Sequence, residues 1–116
     1  MRRAFLICPV RGYTSDYWQE HVDRLEADGW TVHWPPRDTD QRDPVGMIIC
    51  HENRAAIGCA DRVFLIWDGK STGCLFDLGM AWALHKPLTI LSLPDDNGSG
   101  KSFLKMTRAW EKWGPA

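Results

Sequence analysis

The sequence predicts an α/β fold, a three-layer open parallel sheet of the flavodoxin-like kind with strand order 2-1-3-4. Short apolar runs rich in strand formers alternate with longer segments whose apolar residues recur at helical spacing. A helix after each strand returns the chain to the same edge, so the strands run parallel and helices cover both faces. Because 116 residues suffice for one hydrophobic core and not for two, we expect a single domain over residues 1–116.

The first strand and the first helix are predicted near the amino terminus. Residues 3–9 form an apolar run that a turn signal ends, which is typical of a strand buried on both faces. Thr14 or Ser15 is suited to cap a helix that continues to about residue 28. Gly29 follows directly, and glycine is the residue that most often ends a helix.

A second strand and a second helix come next. Residues 30–34 have strand character, and the two prolines after them end the strand by removing backbone donors and fixing φ. A polar loop is expected from there to Asp43. Pro44 is favoured at the first position of a helix, and apolar spacing continues that helix to Cys59.

The second half of the chain contains two further strands and two further helices. Their predicted ranges are 61–67 for the third strand, from the loop 68–73 to about 85 for the third helix, 88–93 for the fourth strand and 101–113 for the last helix. The last helix is amphipathic. Most of the chain's seven tryptophans are expected to pack in the core, although Trp110 and Trp113 also suit an interaction surface.

Composition and charge exclude several classes of function. A net charge of -1, from 14 basic and 15 acidic residues, lacks the positive excess that duplex nucleic-acid binding requires. No apolar stretch approaches the roughly 20 residues that span a bilayer. The apolar run at the amino terminus is interrupted at Pro9, before it reaches the length of a signal peptide. We therefore expect a cytoplasmic protein that binds no membrane.

Cysteines and histidines are scattered rather than clustered. The four cysteines lie far apart in apolar segments without the spacing of a zinc or redox site. They are Cys8, Cys50, Cys59 and Cys74. We interpret them as reduced core thiols, and we expect neither a metal nor a cofactor.

The predicted topology alone indicates which two loops should form a ligand site. In open α/β sheets, ligands bind beyond the carboxyl ends of the strands where the winding reverses. The predicted order puts that reversal between the first and third strands, so the loops 9–14 and 68–73 should face one crevice. Arg11 offers a planar set of donors, Lys70 adds a charge, and Ser71, Thr72 and Gly73 open a helix whose free N–H groups attract phosphate. We place Gly69 among the expected substrate-binding residues as well. The alternative is that Ser71 or Thr72 only caps this helix and that Gly69 only makes a turn.

Two carboxylates belong to the same region. Asp77 lies about one turn into an otherwise apolar helix, and helical side chains tilt toward the amino terminus, here toward the loop. Asp68 ends the third strand, and paired carboxylates can divide nucleophile and proton-donor work. The alternatives are a surface aspartate for Asp77 and a turn-forming aspartate for Asp68. Three further acidic residues follow the second strand and are weaker candidates, namely Asp38, Asp40 and Asp43.

Three segments resemble the nucleoside 2-deoxyribosyltransferase superfamily, which includes the nucleoside monophosphate N-glycosidases. Residues 5–12 are similar to its first strand and substrate loop, and residues 60–67 are similar to its third strand. The most specific segment is residues 71–81, followed by Lys86-Pro87, which matches the pattern S-x-G-x-x-x-E-x-G-x-A…P at every position except Asp77. The resemblance extends over most of the chain between Arg3 and Leu93.

The resemblance implies roles for particular residues. In the superfamily the Glu at the Asp77 position is the nucleophile at the anomeric carbon of the sugar, and the residues at Ser71 and Gly73 contact a 5′-phosphate or 5′-hydroxyl. The Arg-Gly of the monophosphate hydrolases corresponds to Arg11 and Gly12. Aspartate is one methylene shorter than glutamate, and a misplacement of about 1 Å can cost on the order of 100-fold in rate.

Two functions follow as expectations. The first is cleavage of a nucleoside or nucleotide N-glycosidic bond, or transfer of its base, with Asp77 and Asp68 as catalytic residues. The second is a nucleotide-binding or sensor module that has kept the pocket and lost turnover because aspartate replaces glutamate. The resemblance also implies a homodimer or higher homo-oligomer.

Overall fold

The computed structural model describes residues 2–10 and 15–114, with side chains from residue 17 in the second range. Arg11, Gly12 and the expected cap at Thr14 or Ser15 thus lie outside the described residues or side chains. Within those ranges the chain forms a four-stranded parallel sheet of order β2-β1-β3-β4. The strands are β1 (Arg2–Ile7), β2 (Trp30–His33), β3 (Arg62–Ile66) and β4 (Leu88–Ser92). The predicted fold class and strand order are confirmed.

Helices cover both faces of this sheet. They are α1 (Ser15–Ala27), α2 (Pro35–Asp38), α3 (Met47–Cys59), α4 (Thr72–Ala83) and α5 (Phe103–Trp113). Alternate residues of β1 point to opposite faces, so Leu6 packs with Val22 of α1 while Phe5 packs with Ile57 of α3 and Leu78 of α4. These two apolar clusters join the sheet to the helices on either side of it, which gives the three layers. Burying each such side chain contributes roughly 1.5–3 kcal/mol to the stability of the fold.

The segment after β2 differs from the predicted polar loop. Residues Pro35–Asp38 form a short helix, with Pro35 at its first position. The Asp38 carboxylate accepts a hydrogen bond of 2.8 Å from the backbone N–H of Trp34. The prediction was wrong here because the prolines were taken only as strand breakers, although proline is also favoured in the first helical turn.

The start of α3 also differs from prediction. The helix begins at Met47 and not at Pro44, because Gly46 precedes it in the left-handed conformation with φ of 92°. The Asp43 carboxylate accepts hydrogen bonds from the backbone N–H groups of Ile48 and Ile49, at 2.7 and 3.3 Å. Asp43 therefore satisfies the first turn of α3, which is the work of a capping residue.

The cysteines are all free, but they do not all lie in the core. Cys8 and Cys74 are buried, Cys50 is partly buried and Cys59 is exposed. The prediction of a core thiol was thus wrong for Cys59, since it ends α3 on the solvent side. Trp110 is buried in the core, whereas Trp113 is 75% exposed.

The pairing of the two central strands places the candidate site at one edge of the sheet. Ile7 of β1 lies beside Leu65 of β3, so the chain leaves both strands at the same edge of the sheet. This edge is where the winding reverses, and residues after both strands meet there. Among the described residues, no helix combines the length and apolar character needed to cross a membrane.

Candidate functional site

A cleft of about 910 Å³ opens beyond the carboxyl ends of β1 and β3. Residues 8–10 after β1, residues after β3 and the first turns of α4 line it, together with side chains of α3 and the segment after β2. This volume is in the range of small-molecule sites. The sequence therefore predicted the location of the cleft correctly, from the position of the reversal in winding.

Asp77 lines this cleft together with Ser71 and Gly73. The carboxyl group is partly buried, and burial raises its pKa from the ordinary 3.8 to about 6. The side chain of Asn53 opposes this effect by favouring the charged form. Asp77 is thus a carboxyl group in a cleft with a perturbed pKa, a combination that is typical of functional sites.

Asn53 is a site residue that the sequence analysis missed. It lies on α3, is only 5% exposed and lines the cleft. Its Oδ1 accepts a hydrogen bond of 2.8 Å from the hydroxyl of Thr39. The signal was available in the sequence, because Asn53 lies four residues from both Ile49 and Ile57 and therefore shares their face of the helix.

The amino terminus of α4 faces the cleft. Ser71 is its N-cap residue, but its side chain makes no capping hydrogen bond. The indole N–H of Trp67 donates to the Ser71 carbonyl at 2.9 Å, which fixes the start of the helix. The first N–H groups of a helix have no partner within it and attract negative charge, so Thr72 and Gly73 present donors at the cleft wall.

Asp68 lines the cleft and also shapes the loop. Its Oδ1 accepts hydrogen bonds of 2.8 Å from the backbone N–H groups of both Lys70 and Ser71. Partial burial acts to raise the pKa of Asp68, but these backbone bonds outweigh it and hold the pKa below its ordinary value. Asp68 is therefore ionised at neutral pH, whereas Asp77, with a pKa of about 6, titrates close to neutral pH.

The two glycines of the predicted site have different surroundings. Gly73 lines the cleft, and a Cβ added there would meet no atom nearer than the Ser71 hydroxyl at 4.0 Å. Gly69 has φ of +75°, and an added Cβ would lie 3.4 Å from a methyl group of Leu104 on α5. Gly69 faces α5 and is not among the residues that line the cleft.

The acidic residues after β2 bind the protein's own donors. Asp38 pairs with Arg37, Asp40 pairs with Arg42, and Asp43 caps α3. From the loop between α2 and α3, Gln41 is the residue that lines the cleft. Their contacts are thus made within the protein, and Asp38 belongs to helix α2 and not to a loop.

The rest of the cleft wall is apolar. Cys8 and Cys74 line it, and burial raises the pKa of each thiol to about 12, so both are neutral. Val10 and Phe76 stand at the rim and are 55% and 56% exposed. A flat heterocycle can stack on such surfaces. Within the part of the chain that the structure describes, no cluster of histidine, cysteine and carboxylate side chains is suited to hold a metal ion.

Comparison with known proteins identifies the fold and no more. No protein-family model matches this sequence, and no curated protein matches it. Among solved structures, the chain is similar to a 2-deoxyribosyltransferase from the psychrotolerant bacterium Bacillus psychrosaccharolyticus, with a TM-score of 0.64. The match covers 90% of this chain and 81% of that one at 18% identity. At this identity the likeness establishes a shared fold.

Proposed function

We propose that this protein cleaves the N-glycosidic bond of a nucleoside or nucleotide, or transfers its base, with the carboxylate of Asp77 as the nucleophile. The observation that carries the proposal is the partly buried Asp77 carboxyl in the cleft, whose pKa is about 6. A carboxylate with this pKa is mostly ionised at neutral pH and is more nucleophilic than one fully exposed to water. The shared fold with a 2-deoxyribosyltransferase supports the same activity.

The reaction proceeds in two balanced steps. An oxygen of Asp77 attacks the anomeric carbon, the bond from that carbon to the base nitrogen breaks, and its electron pair leaves with the base, which takes up a proton from solvent. The sugar is then held as an ester of Asp77. Water or a second base attacks the same carbon and loses a proton to solvent, the ester bond breaks, and Asp77 leaves as a carboxylate.

We assign the 5′ end of the substrate to the start of α4. Ser71, Gly73 and the nearby charge of Lys70 suit a 5′-phosphate or 5′-hydroxyl. We extend this assignment to Arg11 and Gly12 on the strength of the sequence resemblance alone. The apolar rim at Phe76 is suited to the base.

Asp68 is assigned to the departing base. Oδ1 accepts both hydrogen bonds from the loop backbone. We therefore assign Oδ2 to the base. Because the pKa of Asp68 is lowered, the residue acts as an acceptor that orients the base and stabilises positive charge at the sugar, and not as the proton donor. Gly69 acts indirectly, through the conformation of the loop.

A second candidate function is a nucleotide-binding or sensor module without turnover. The observation that favours it is the length of the side chain at position 77, because aspartate reaches less far into the cleft than glutamate does. Binding would then use the start of α4 and the apolar rim, and the carboxylate would contact the sugar without attacking it.

Base release distinguishes the two functions. The protein is incubated with nucleosides and with nucleoside and deoxynucleoside monophosphates, and the free base is measured by chromatography. The enzyme proposal predicts release by the natural protein and its loss in Asp77→Asn. Binding of the same compounds without release by the natural protein, together with release by Asp77→Glu, would support the binding module instead.

We further propose that the protein forms a homodimer. Three exposed apolar residues lie around the start of α3, namely Val45 (84%), Met47 (61%) and Ile48 (56%). Covering them with a second copy would remove apolar surface from water. Light scattering tests this, and a mass equal to one chain would contradict it. A cytoplasmic location stays a prediction from the sequence.

A further inference from the structure

A chain of buried polar side chains lies behind Asp77. Thr39 and Asn53 are 4% and 5% exposed. Nε2 of His33 lies 2.8 Å from the hydroxyl oxygen of Thr39, which in turn lies 2.8 Å from Oδ1 of Asn53. Asn53 lines the same cleft as Asp77 and favours the ionised form of its carboxyl group. The hydrogen bonds therefore run from β2, through the end of α2, to the residue of α3 that lies in the cleft with the candidate nucleophile on α4.

The direction of each hydrogen bond follows from what each atom can do. Oδ1 of Asn53 can only accept, so the hydroxyl proton of Thr39 points to it. The Thr39 oxygen must then accept from His33, which requires the proton of the neutral imidazole to be on Nε2. The amide nitrogen of Asn53 is thus the end that remains free to donate to Asp77.

The opposite orientation of the amide is unfavourable. With Asn53 reversed, its oxygen would face the Asp77 carboxylate, so that two acceptors would meet in a buried place. The hydroxyl of Thr39 prevents this reversal because it supplies a donor for Oδ1. The Thr39 backbone is itself fixed, since its N–H donates to the carbonyl of Pro35 as the C-cap of α2.

The first member of the chain is also held in place. The ring of His33 stacks on Phe5 with centroids 5.4 Å apart and planes at 8°. Burial lowers the pKa of His33, with Asp38 and Glu52 raising it and Arg37 lowering it in smaller amounts. A neutral ring, with one proton to place, is the form that this chain needs.

We propose that His33 and Thr39 are positioning residues that fix the amide of Asn53 as a donor to Asp77, so that the carboxylate is held at one orientation in the cleft. The role of these hydrogen bonds in catalysis rests on the proposed function of Asp77. The hydrogen bonds themselves do not depend on that function. Their predicted effect is therefore measured on the ionisation of Asp77 and on the tautomer of His33, neither of which needs a substrate.

The first experiment uses the natural protein. Nitrogen NMR of His33 is expected to show the neutral tautomer protonated at Nε2, and the side-chain amide resonances of Asn53 are expected to shift with the titration of Asp77. A ring protonated at Nδ1, or amide resonances that do not respond to Asp77, would overturn the proposal. This test stands even if a substituted protein does not fold.

The second experiment compares Thr39→Val, which removes the hydroxyl at nearly constant shape, with Thr39→Ser, which keeps it. Carbon NMR of the Asp77 carboxyl gives its pKa in each protein. We expect an upward shift of about 0.5–1 unit in Thr39→Val, because the amide is free to reverse, and a value near that of the natural protein in Thr39→Ser. The other titratable groups near Asp77 are Cys74 on its own helix, Cys8 after β1 and Asp68 after β3, and none is changed.

An equal pKa of Asp77 in the natural protein and in Thr39→Val would overturn the proposal. Failure of the proposed function gives a different result, namely no base release by any of these proteins while the shift in Thr39→Val is still observed. If base is released, Thr39→Val is expected to lower kcat more than it raises KM, and Thr39→Ser to restore kcat. A fall in kcat that the unfolded fraction of Thr39→Val accounts for in full would indicate a purely structural role and overturn the proposal.

Discussion

The side chain of Asn53 on α3 and the carboxyl of Asp77 on α4 line the same cleft, and Asn53 favours the charged form of that carboxyl. An amide is a neutral partner, so it orients the carboxylate without neutralising its charge as an arginine would. Burial consequently remains the larger effect, and the pKa of Asp77 stays at about 6. In this pair, Asn53 orients the carboxylate and Asp77 keeps the raised pKa.

The pH dependence of base release should report the ionisation of Asp77. Because the pKa is raised to about 6 and the nucleophile is the ionised form, kcat/KM is expected to fall as the pH decreases through about 6. The fall should approach tenfold per pH unit at the acid end. A profile measured from pH 5 to 8 checks this, and a flat profile over that range would remove Asp77 from the rate-determining chemistry.

The same pKa predicts that Asp77→Asn stabilises the protein at alkaline pH. The pKa of the folded state, about 6, lies above the ordinary 3.8, so protonation favours the folded state. This contribution is complete below pH 3.8 and is lost as the pH rises through 6. The shift corresponds to at most about 3 kcal/mol. Urea unfolding at pH 8 should show Asn more stable than Asp, with the difference decreasing toward pH 4.

Gly73→Ala should separate binding from stability. A methyl group at this position occupies space in the cleft and meets no protein atom closer than 4.0 Å, while alanine is favoured over glycine in a helix by roughly 0.5–1 kcal/mol. We expect weaker binding of a nucleoside monophosphate by calorimetry and an equal or higher melting temperature.

Gly79→Ala is the matched control for that substitution. Gly79 lies on the same helix, and an added Cβ there meets nothing within 4 Å. Since Gly79 does not line the cleft, its substitution should raise stability similarly and leave binding unchanged. Equal effects of both substitutions on binding would argue against a ligand at the start of α4.

Asp68→Asn tests the second carboxylate while keeping an oxygen for the loop. The amide oxygen can still accept from the backbone of Lys70 and Ser71, so the fold is expected to persist. Loss of the negative charge beside the departing base should lower kcat on the order of 100-fold. Steady-state kinetics measure this, and an unchanged kcat would leave Asp68 with its turn-forming role alone.

Gly69→Ala should act through the backbone. The left-handed conformation at φ of +75° costs a residue with a Cβ roughly 1–2 kcal/mol. The added atom would also press on Leu104 of α5 at 3.4 Å. We expect a lower free energy of unfolding by urea titration. Gly100→Ala, at φ of +86° in open space, is the control for the conformational part alone.

The fold was predictable because its signals are local and periodic. Buried strands such as Val63–Leu65 of β3 read as continuous apolar runs, and the helix between two strands forces them to be parallel. The short helix at Pro35 and the late start of α3 were not predictable in the same way. Both depend on a single carboxylate, Asp38 or Asp43, returning to a particular backbone N–H.

The candidate site was predictable in part, for a related reason. Asp77 and Ser71 follow from the spacing within one helix and its loop, which the sequence displays directly. Asn53 belongs to another helix, and its contact with Asp77 depends on how α3 packs against α4. Its place on the face of Ile57 was visible in the sequence, but the identity of its partners was not.

The most direct test of the account is to look for the sugar on Asp77. The protein is mixed with a substrate that releases base, quenched in acid within its first turnovers, digested and analysed by mass spectrometry. We predict that the peptide containing Asp77 carries the added mass of one sugar, and that Asp77→Asn gives neither the adduct nor free base. Base release by Asp77→Asn at the rate of the natural protein, with no adduct in either, would exclude Asp77 as the nucleophile.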